Sequence, residues 1–189
     1  MQSDKSMINP YGGALVGLIG DDEITRRLKS EAAEYQAVTL TKRQLCDLEL
    51  LMNGAYSPLT GFMTRDEYES VLDKLRLPGG LLWSLPVTLD ISSVVAGKVS
   101  TGDKLGLMDE EGFTLAVLHV EDLWKVDKER EAELVYGSKD KGHPGVDYLF
   151  QQVKDYYVGG RVEGIQLPVH YDFESLRNTP GAVSYTHLR

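Results

Sequence analysis

The sequence predicts an α+β fold in which helices come first and a mostly antiparallel β unit follows. Two patterns and one total carry that reading. Between residues 21 and 75 the apolar side chains recur at helical spacing, and each helical run opens on a capping residue. From Trp83 onward the stretches are β-branched and alternating, separated by Gly or Asp turns. The chain has 189 residues, 42% hydrophobic and 26% charged, enough to bury a core in one domain or slightly more.

Asp21 and Asp22 cap a helix running to about Glu34, with Ile24 and Leu28 on one face. "AVTL" (37–40) is a short strand. Thr41-Lys-Arg-Gln44 is a capping box, in which the hydroxyl and the Gln amide satisfy backbone N–H groups reciprocally. It opens a helix carrying Leu45, Leu48, Leu51 and Met52, which stops at Gly54 as a C′ glycine. Thr64-Arg-Asp-Glu67 is a second capping box, and Tyr68, Val71, Leu72 and Leu75 form the stripe behind it.

The β unit is assigned to "WSLPVTLDI", "KLGLMD", "EEGFTLAVLHVEDLWKV" and "VEGIQLPV". Asp103–Leu107 and Phe113–Val120 read as an antiparallel pair joined by Asp109–Gly112, and Gly159-Gly160 reads as another hairpin connection. Helices are expected over 127–136 and 144–153, the second with Pro144 at its first position, where the missing N–H costs nothing. Tyr171 and Phe173 are expected to pack. There is no internal repeat and no low-complexity tract.

Between the two capped helices lies "GAYSPLTGFMT" (54–64), an unusually apolar loop. Pro58 fixes one φ, Gly54 and Gly61 allow conformations that other residues resist, and Leu59, Phe62 and Met63 are expected to fill the space between the helices. The aromatic density would also suit a surface that meets another domain.

The net charge of −9 disfavours nucleic-acid or anionic-membrane binding, since both need a basic face. One cysteine, Cys46, allows no intrachain disulfide and no thiolate metal cage, which points to a reducing compartment. It lies in a helical pattern as a small packed or half-exposed side chain. No run of about 18 apolar residues predicts a membrane span, and the start of the chain is a poor signal peptide, so a cytoplasmic location is expected.

The usual catalytic devices are missing: no phosphate-binding G-x-x-x-x-G-K-[ST], no G-x-G-x-x-G, no H-E-x-x-H, no C-x-x-C and no G-x-S-x-G. His119 is a structural or surface residue of a strand. His143, in "GHPGV", is a polar cap or a contact with another domain. His170 and Asp172 hydrogen-bond in a linker. The runs "DEEG", "DKEREAE" and "RDEYE" are read as solvated turns and helix faces. No catalytic, cofactor-binding or metal residue is assigned.

The order of several stretches resembles the N-terminal domain of the ATP sulfurylase (sulfate adenylyltransferase) family, in which a helix leads into a G-x-[YF]-[ST]-P-L-x-G-F-M loop. Here the loop positions are Gly54, Tyr56, Ser57, Pro58, Leu59, Gly61, Phe62 and Met63. Tyr68 and Val71 follow, then Arg76, Leu77, Gly80, Trp83, Pro86 and Val87. "HPGVDYL" (143–149), "YYVGGRVEGIQLP" (156–168) and "HYDFESLRNTP" (170–180) continue the likeness, which covers about residues 36 to 180.

The resemblance implies a PUA-like β pseudo-barrel with helical additions over residues 21–173. Residues 1–20 are set apart as a segment that Pro10, Gly12 and Gly13 do little to hold. Residues 174–189 are taken as the start of a linker, with "GAVSYTHLR" (181–189) as a non-native tail. It implies a parent reaction, ATP plus sulfate giving adenosine 5′-phosphosulfate and pyrophosphate, with Mg²⁺. The family's catalytic Q-x-R-N-P-x-H-x-x-H stretch is absent from these 189 residues. The chain alone is therefore expected to hold neither ATP nor Mg²⁺ and to be inactive, with a C-terminal catalytic domain and further copies of itself as partners. Tyr56, Ser57, Pro58, Phe62, Met63 and His143 are the candidates for structural or interdomain roles. The other readings are a PUA-like RNA-binding module, against which the charge stands, and a regulatory or oligomerisation module.

Overall fold

A computed structural model describes residues 10–187. In chain order these form α1 (Asp22–Ala32), β1 (Gln36–Thr39), α2 (Lys42–Met52), β2 (Gly61–Phe62), α3 (Arg65–Lys74), β3 (Leu89–Ile91) and α4 (Ser93–Ala96). Then come β4 (Lys104–Met108), β5 (Thr114–His119), β6 (Asp122–Lys125), α5 (Lys128–Tyr136), α6 (Pro144–Gln151), β7 (Tyr156–Gly164) and α7 (Pro180–His187). The fold is mixed α+β, with strand order β1-β4-β5-β7-β2 and with β3 and β6 also pairing with β7. The chain divides into two compact units. One takes residues up to Gly61, Gly106–Val117 and Val162 onward; the other takes Phe62–Leu105 and Leu118–Arg161.

In the first unit, α1 starts where Asp21 Oδ1 accepts the N–H groups of Glu23 and Ile24 at 3.0 and 2.9 Å. Its buried Leu28 and Ala32 form a cluster with Val117 and Ile165, against which Tyr35 packs. Both arms of the first capping box are present: Thr41 N–H donates to Gln44 Oε1 (2.8 Å), and Gln44 N–H to Thr41 Oγ1 (3.4 Å). Gln44 is thereby buried with its amide partnered, beside Leu48, Leu51 and Met52. Gly54 follows the helix at φ 88°, a backbone state that a side chain resists.

Residues preceding α1 are tied in by backbone bonds. Leu18 N–H donates to Met52 O at 3.1 Å, Gly164 N–H to Leu18 O at 2.8 Å, and Gly20 N–H to Gly164 O at 3.3 Å. The first nine residues of the segment set apart above lie outside the described residues.

In the second unit the Thr64 capping box opens α3, whose Tyr68, Val71 and Leu72 are buried. The helix ends on Leu75 at φ 54°, a left-handed residue with no glycine to announce it. The antiparallel pairs set Leu89 and Leu123 opposite Val158, and Trp124 opposite Tyr157. Asp127 caps α5, and His143 caps α6 with Pro144 next in the chain.

Four expectations are corrected. Gly159 and Gly160 make no hairpin; they lie inside β7, because neighbouring backbones come too close there for a side chain. Of "WSLPVTLDI" only Leu89–Ile91 pairs as a strand. "VEGIQLPV" leaves the ladder at Gly164, after which the N–H groups of Ile165 and Gln166 both donate to Leu115 O. Tyr171 and Phe173 are exposed rather than packed. The expected pair over 103–120 forms as β4 and β5, with Gly112 at φ 91° closing the turn.

Candidate functional site

The apolar loop folds on itself before it touches anything else. Asn53 Oδ1 accepts Ala55 N–H at 3.0 Å, Ser57 N–H donates to Gly54 O at 3.1 Å, and Leu59 N–H to Tyr56 O at 2.9 Å. The Ser57–Pro58 peptide is cis. Ser57 is buried, and its hydroxyl works in two directions, donating to Gly54 O at 2.6 Å and accepting Val16 N–H at 2.8 Å. A Cβ on Gly12 would meet the Pro58 ring at 3.0 Å, and one on Gly54 would meet Leu15 Cδ1 at 3.0 Å. The first job of Gly54, Ser57 and Pro58 is thus to grip residues 12–16.

Ser57→Ala removes that acceptor and leaves the Val16 N–H without it, at a cost of about 1–2 kcal/mol. Amide exchange at Val16 should accelerate more than exchange in α1. Equal acceleration throughout the unit would mean that the hydroxyl is no local clasp.

Tyr56 Oη donates to Asp47 Oδ1 at 3.2 Å, while Arg43 pairs with Asp47 Oδ2 at 2.7 Å. Burial raises the Asp47 carboxyl, with Arg43 opposing. Burial and then the charge of Asp47 push the Tyr56 hydroxyl up to about 12. Tyr56 is thus favoured as a neutral donor, and its bond to Asp47 holds α2 to the loop.

Phe62 and Met63 are buried in the second unit, where Met63 N–H donates to Val87 O at 3.0 Å and Val87 N–H lies 3.4 Å from Met63 Sδ. Leu59 is buried in the first. The loop's large aliphatic and aromatic side chains at 59, 62 and 63 are interior packing. His143 is exposed; its Nδ1 accepts Gly145 N–H at 3.1 Å and its ring lies 5.1 Å from the Tyr136 ring. It shapes the start of α6.

The second unit holds a polar cluster that the sequence did not reveal. Glu131, taken for a solvated helix-face residue, is buried. Tyr68 Oη donates to its Oε2 at 2.8 Å, and Tyr157 Oη lies 3.0 Å from Oε2 and 3.2 Å from Oε1. The rings of Tyr68, Trp124 and Tyr157 pack against one another, with centroids 5.6 to 5.8 Å apart. Trp124 Nε1 is the buried side-chain polar atom with no partner among the described residues. Next to Glu131, Arg130 leaves the core and pairs with Glu69 and Asp73 on α3 at 2.5 and 2.8 Å. Nothing local marks Glu131 as inward-facing: its i+3 neighbour Leu134 is exposed and its i+4 neighbour Val135 only half-buried.

The hydroxyls of Tyr68 and Tyr157 are driven further into their neutral form, by burial first and the Glu131 charge second. Among the described residues no group of three or more His, Cys, Asp and Glu could hold a metal ion, and Cys46 stands exposed and alone. A cavity of about 670 Å³ in the first unit is lined by Lys29, Phe113, Leu115, Gln166 and Leu167 among others, and Lys29 Nζ is already bonded to Gln166 Oε1 at 3.1 Å. No helix among the described residues is long and apolar enough to cross a membrane.

Comparison with known proteins gives a consistent picture. A family model described as a PUA-like domain matches residues 8–167. The sulfate adenylyltransferase of Eremothecium gossypii is 43% identical over 178 residues, 94% of this chain and 35% of that protein. The sulfate adenylyltransferase of Saccharomyces cerevisiae is 44% identical over 174 residues, 90% of this chain and 34% of that protein. Among solved structures, one described as a hexameric APS kinase from Thiobacillus denitrificans superposes with a TM-score of 0.75 at 38% identity, over 94% of this chain and 31% of that one. The chain spans about a third of the length of the curated relatives it matches.

Proposed function

The chain belongs to the PUA-like domain family, and from that premise we propose that it serves as the noncatalytic N-terminal domain of a sulfate adenylyltransferase. The observation that carries this is identity of 43–45% maintained over 90–94% of the chain. Likeness of that extent involves the whole domain, not one motif. In the reading, ATP, sulfate and Mg²⁺ are handled by the part of the protein that these 189 residues do not include. That agrees with the absence of the Q-x-R-N-P-x-H stretch from the sequence.

The remaining partners belong to the same proposal. Assembly with further copies is supported by a solved neighbour described as hexameric. A cytoplasmic location fits the single cysteine. RNA binding has no such support, because the net charge of −9 opposes contact with a phosphate backbone.

The test is a coupled assay for pyrophosphate. The purified chain, given ATP, sulfate and Mg²⁺, should release none above background. Sulfate-dependent release from this chain alone would overturn the assignment.

A further inference from the structure

Three of the five large apolar side chains that the second unit exposes lie within residues 75–85, in the middle of the chain. Leu75 is 47% exposed, Leu82 55% and Leu85 55%. The segment is a tied hairpin. Leu77 N–H donates to Leu81 O at 2.9 Å, Trp83 N–H to Leu75 O at 2.8 Å, and Arg76 Nη1 to Gly80 O at 2.8 Å. Arg76 and Leu82 pair in an antiparallel bridge, so their side chains share one side of the ladder. Beside Arg76, a groove of about 410 Å³ runs along α3, lined by Asp66, Ser70, Asp73, Lys74, Arg76 and Pro78 among others. Arg130 neutralises Glu69 and Asp73. Asp66 and Lys74 have no ion-pair partner among the described residues.

We propose that α3 and the 75–85 hairpin form the contact between two copies of this chain, arranged antiparallel about a two-fold axis at Ser70. This rests on the assembly with further copies given under Proposed function, and names the surface for it. Charge selects this face. Residues 65–76 hold four acidic and, counting Arg130, four basic side chains, so the face is neutral on a chain of net charge −9. Two copies can therefore approach here without the repulsion that opposes contact between acidic surfaces. The order of charges along the helix then selects the arrangement. Asp66, Ser70 and Lys74 recur every four residues and all line the groove. Lys74 stands two turns past Asp66, about 12 Å along the axis. A two-fold at Ser70 sets Asp66 of each copy against Lys74 of the other, as a self-complementary interface requires. Ser70 is small enough to let the helices come close, and the exposed leucines of each hairpin supply the apolar area. The footprint is smaller than the roughly 20–30 residues a side of a stable complex, so the pair is weak and concentration-dependent.

The test is sedimentation velocity of the purified chain from micromolar to submillimolar concentration. A monomer–dimer equilibrium is expected. The Leu82→Ser, Leu85→Ser variant, altered only at exposed positions, should stay monomeric throughout. Charge reversal reads the geometry. Asp66→Lys and Lys74→Glu each set like charges across the axis twice, and each should weaken the dimer about ten-fold or more. Mixed in equal amounts, these two variants should pair with each other nearly as tightly as the unaltered chain pairs with itself, because both contacts regain opposite charges. A chain that is monomeric at every concentration would overturn the proposal. So would a dimer that persists in the double-leucine variant, or a mixture of the charge variants that fails to restore pairing. The domain assignment is untouched by any of these results, because it stands or falls on pyrophosphate release.

Discussion

Gly160→Ala should destabilise the protein by about 3 kcal/mol or more, the upper end of what overpacking costs. For a chain of this size that lowers Tm by roughly 6–12 °C. A Cβ at Gly160 would lie 2.0 Å from His119 O and 2.9 Å from Glu121 N, and the residue sits at φ 148°. Gly159→Ala is nearly as severe, with its Cβ 2.1 Å from Met63 O and 2.7 Å from Met63 C. The obstacles are all main-chain atoms. A side chain could rotate away; these cannot move without breaking the Met63–Val87 and Glu121–Gly159 hydrogen bonds, at 3.0 and 2.9 Å. Gly79→Ala is the control, since nothing lies within 4 Å of its added Cβ, and it should change stability by less than about 0.5 kcal/mol. Thermal melts of the three variants decide the matter. If Gly160→Ala melts like Gly79→Ala, β7 has more room than the geometry allows.

That pair of glycines also shows where sequence reading stops. A Gly-Gly dipeptide between β-branched stretches is the same local signal whether it marks a turn or a strand crowded by other backbones, and only the long-range neighbours Met63 and His119 distinguish the two. What depends on residues three or four apart was legible: both capping boxes, the Gly54 stop, His143 ahead of its helix, the hairpin at Asp109–Gly112. The loop at 54–64 was half legible. Its apolar side chains read correctly as packing, but its grip on residues 12–16 depends on Val16, 41 positions from Ser57, and nothing local encodes that. Glu131 was hidden for another reason. "DKEREAE" is charged enough to look solvated throughout, and the few core-facing positions of α5 are short of apolar residues that would mark its inner face.

Glu131→Ala should cost about 4 kcal/mol, because it removes the shared acceptor of two tyrosine hydroxyls and opens a cavity at once. The carboxyl serves as the common acceptor for Tyr68 on α3 and Tyr157 on β7, so α5 is held to both through one side chain. Glu131→Gln, which keeps an acceptor oxygen and the volume, should cost about half as much. Tyr68→Phe and Tyr157→Phe should each cost about 2 kcal/mol, the value of a hydrogen bond to a charged group. The double variant should lose more than the sum, since the second loss leaves the buried carboxylate bare. The same pair predicts an alkaline limit. Both tyrosines have their folded pKa raised above 10.0, by burial first and Glu131 second. As pH climbs past about 10 the unfolded chain releases protons that the folded chain retains, so stability must fall with rising pH. Two tyrosines contribute a slope of about 2.7 kcal/mol per pH unit above that point, which the Tyr68→Phe, Tyr157→Phe variant lacks. Denaturant titrations of the two proteins at a series of pH values through 9 to 11 would measure the difference, and parallel curves would show that the hydroxyls ionise as freely in the folded protein as in water.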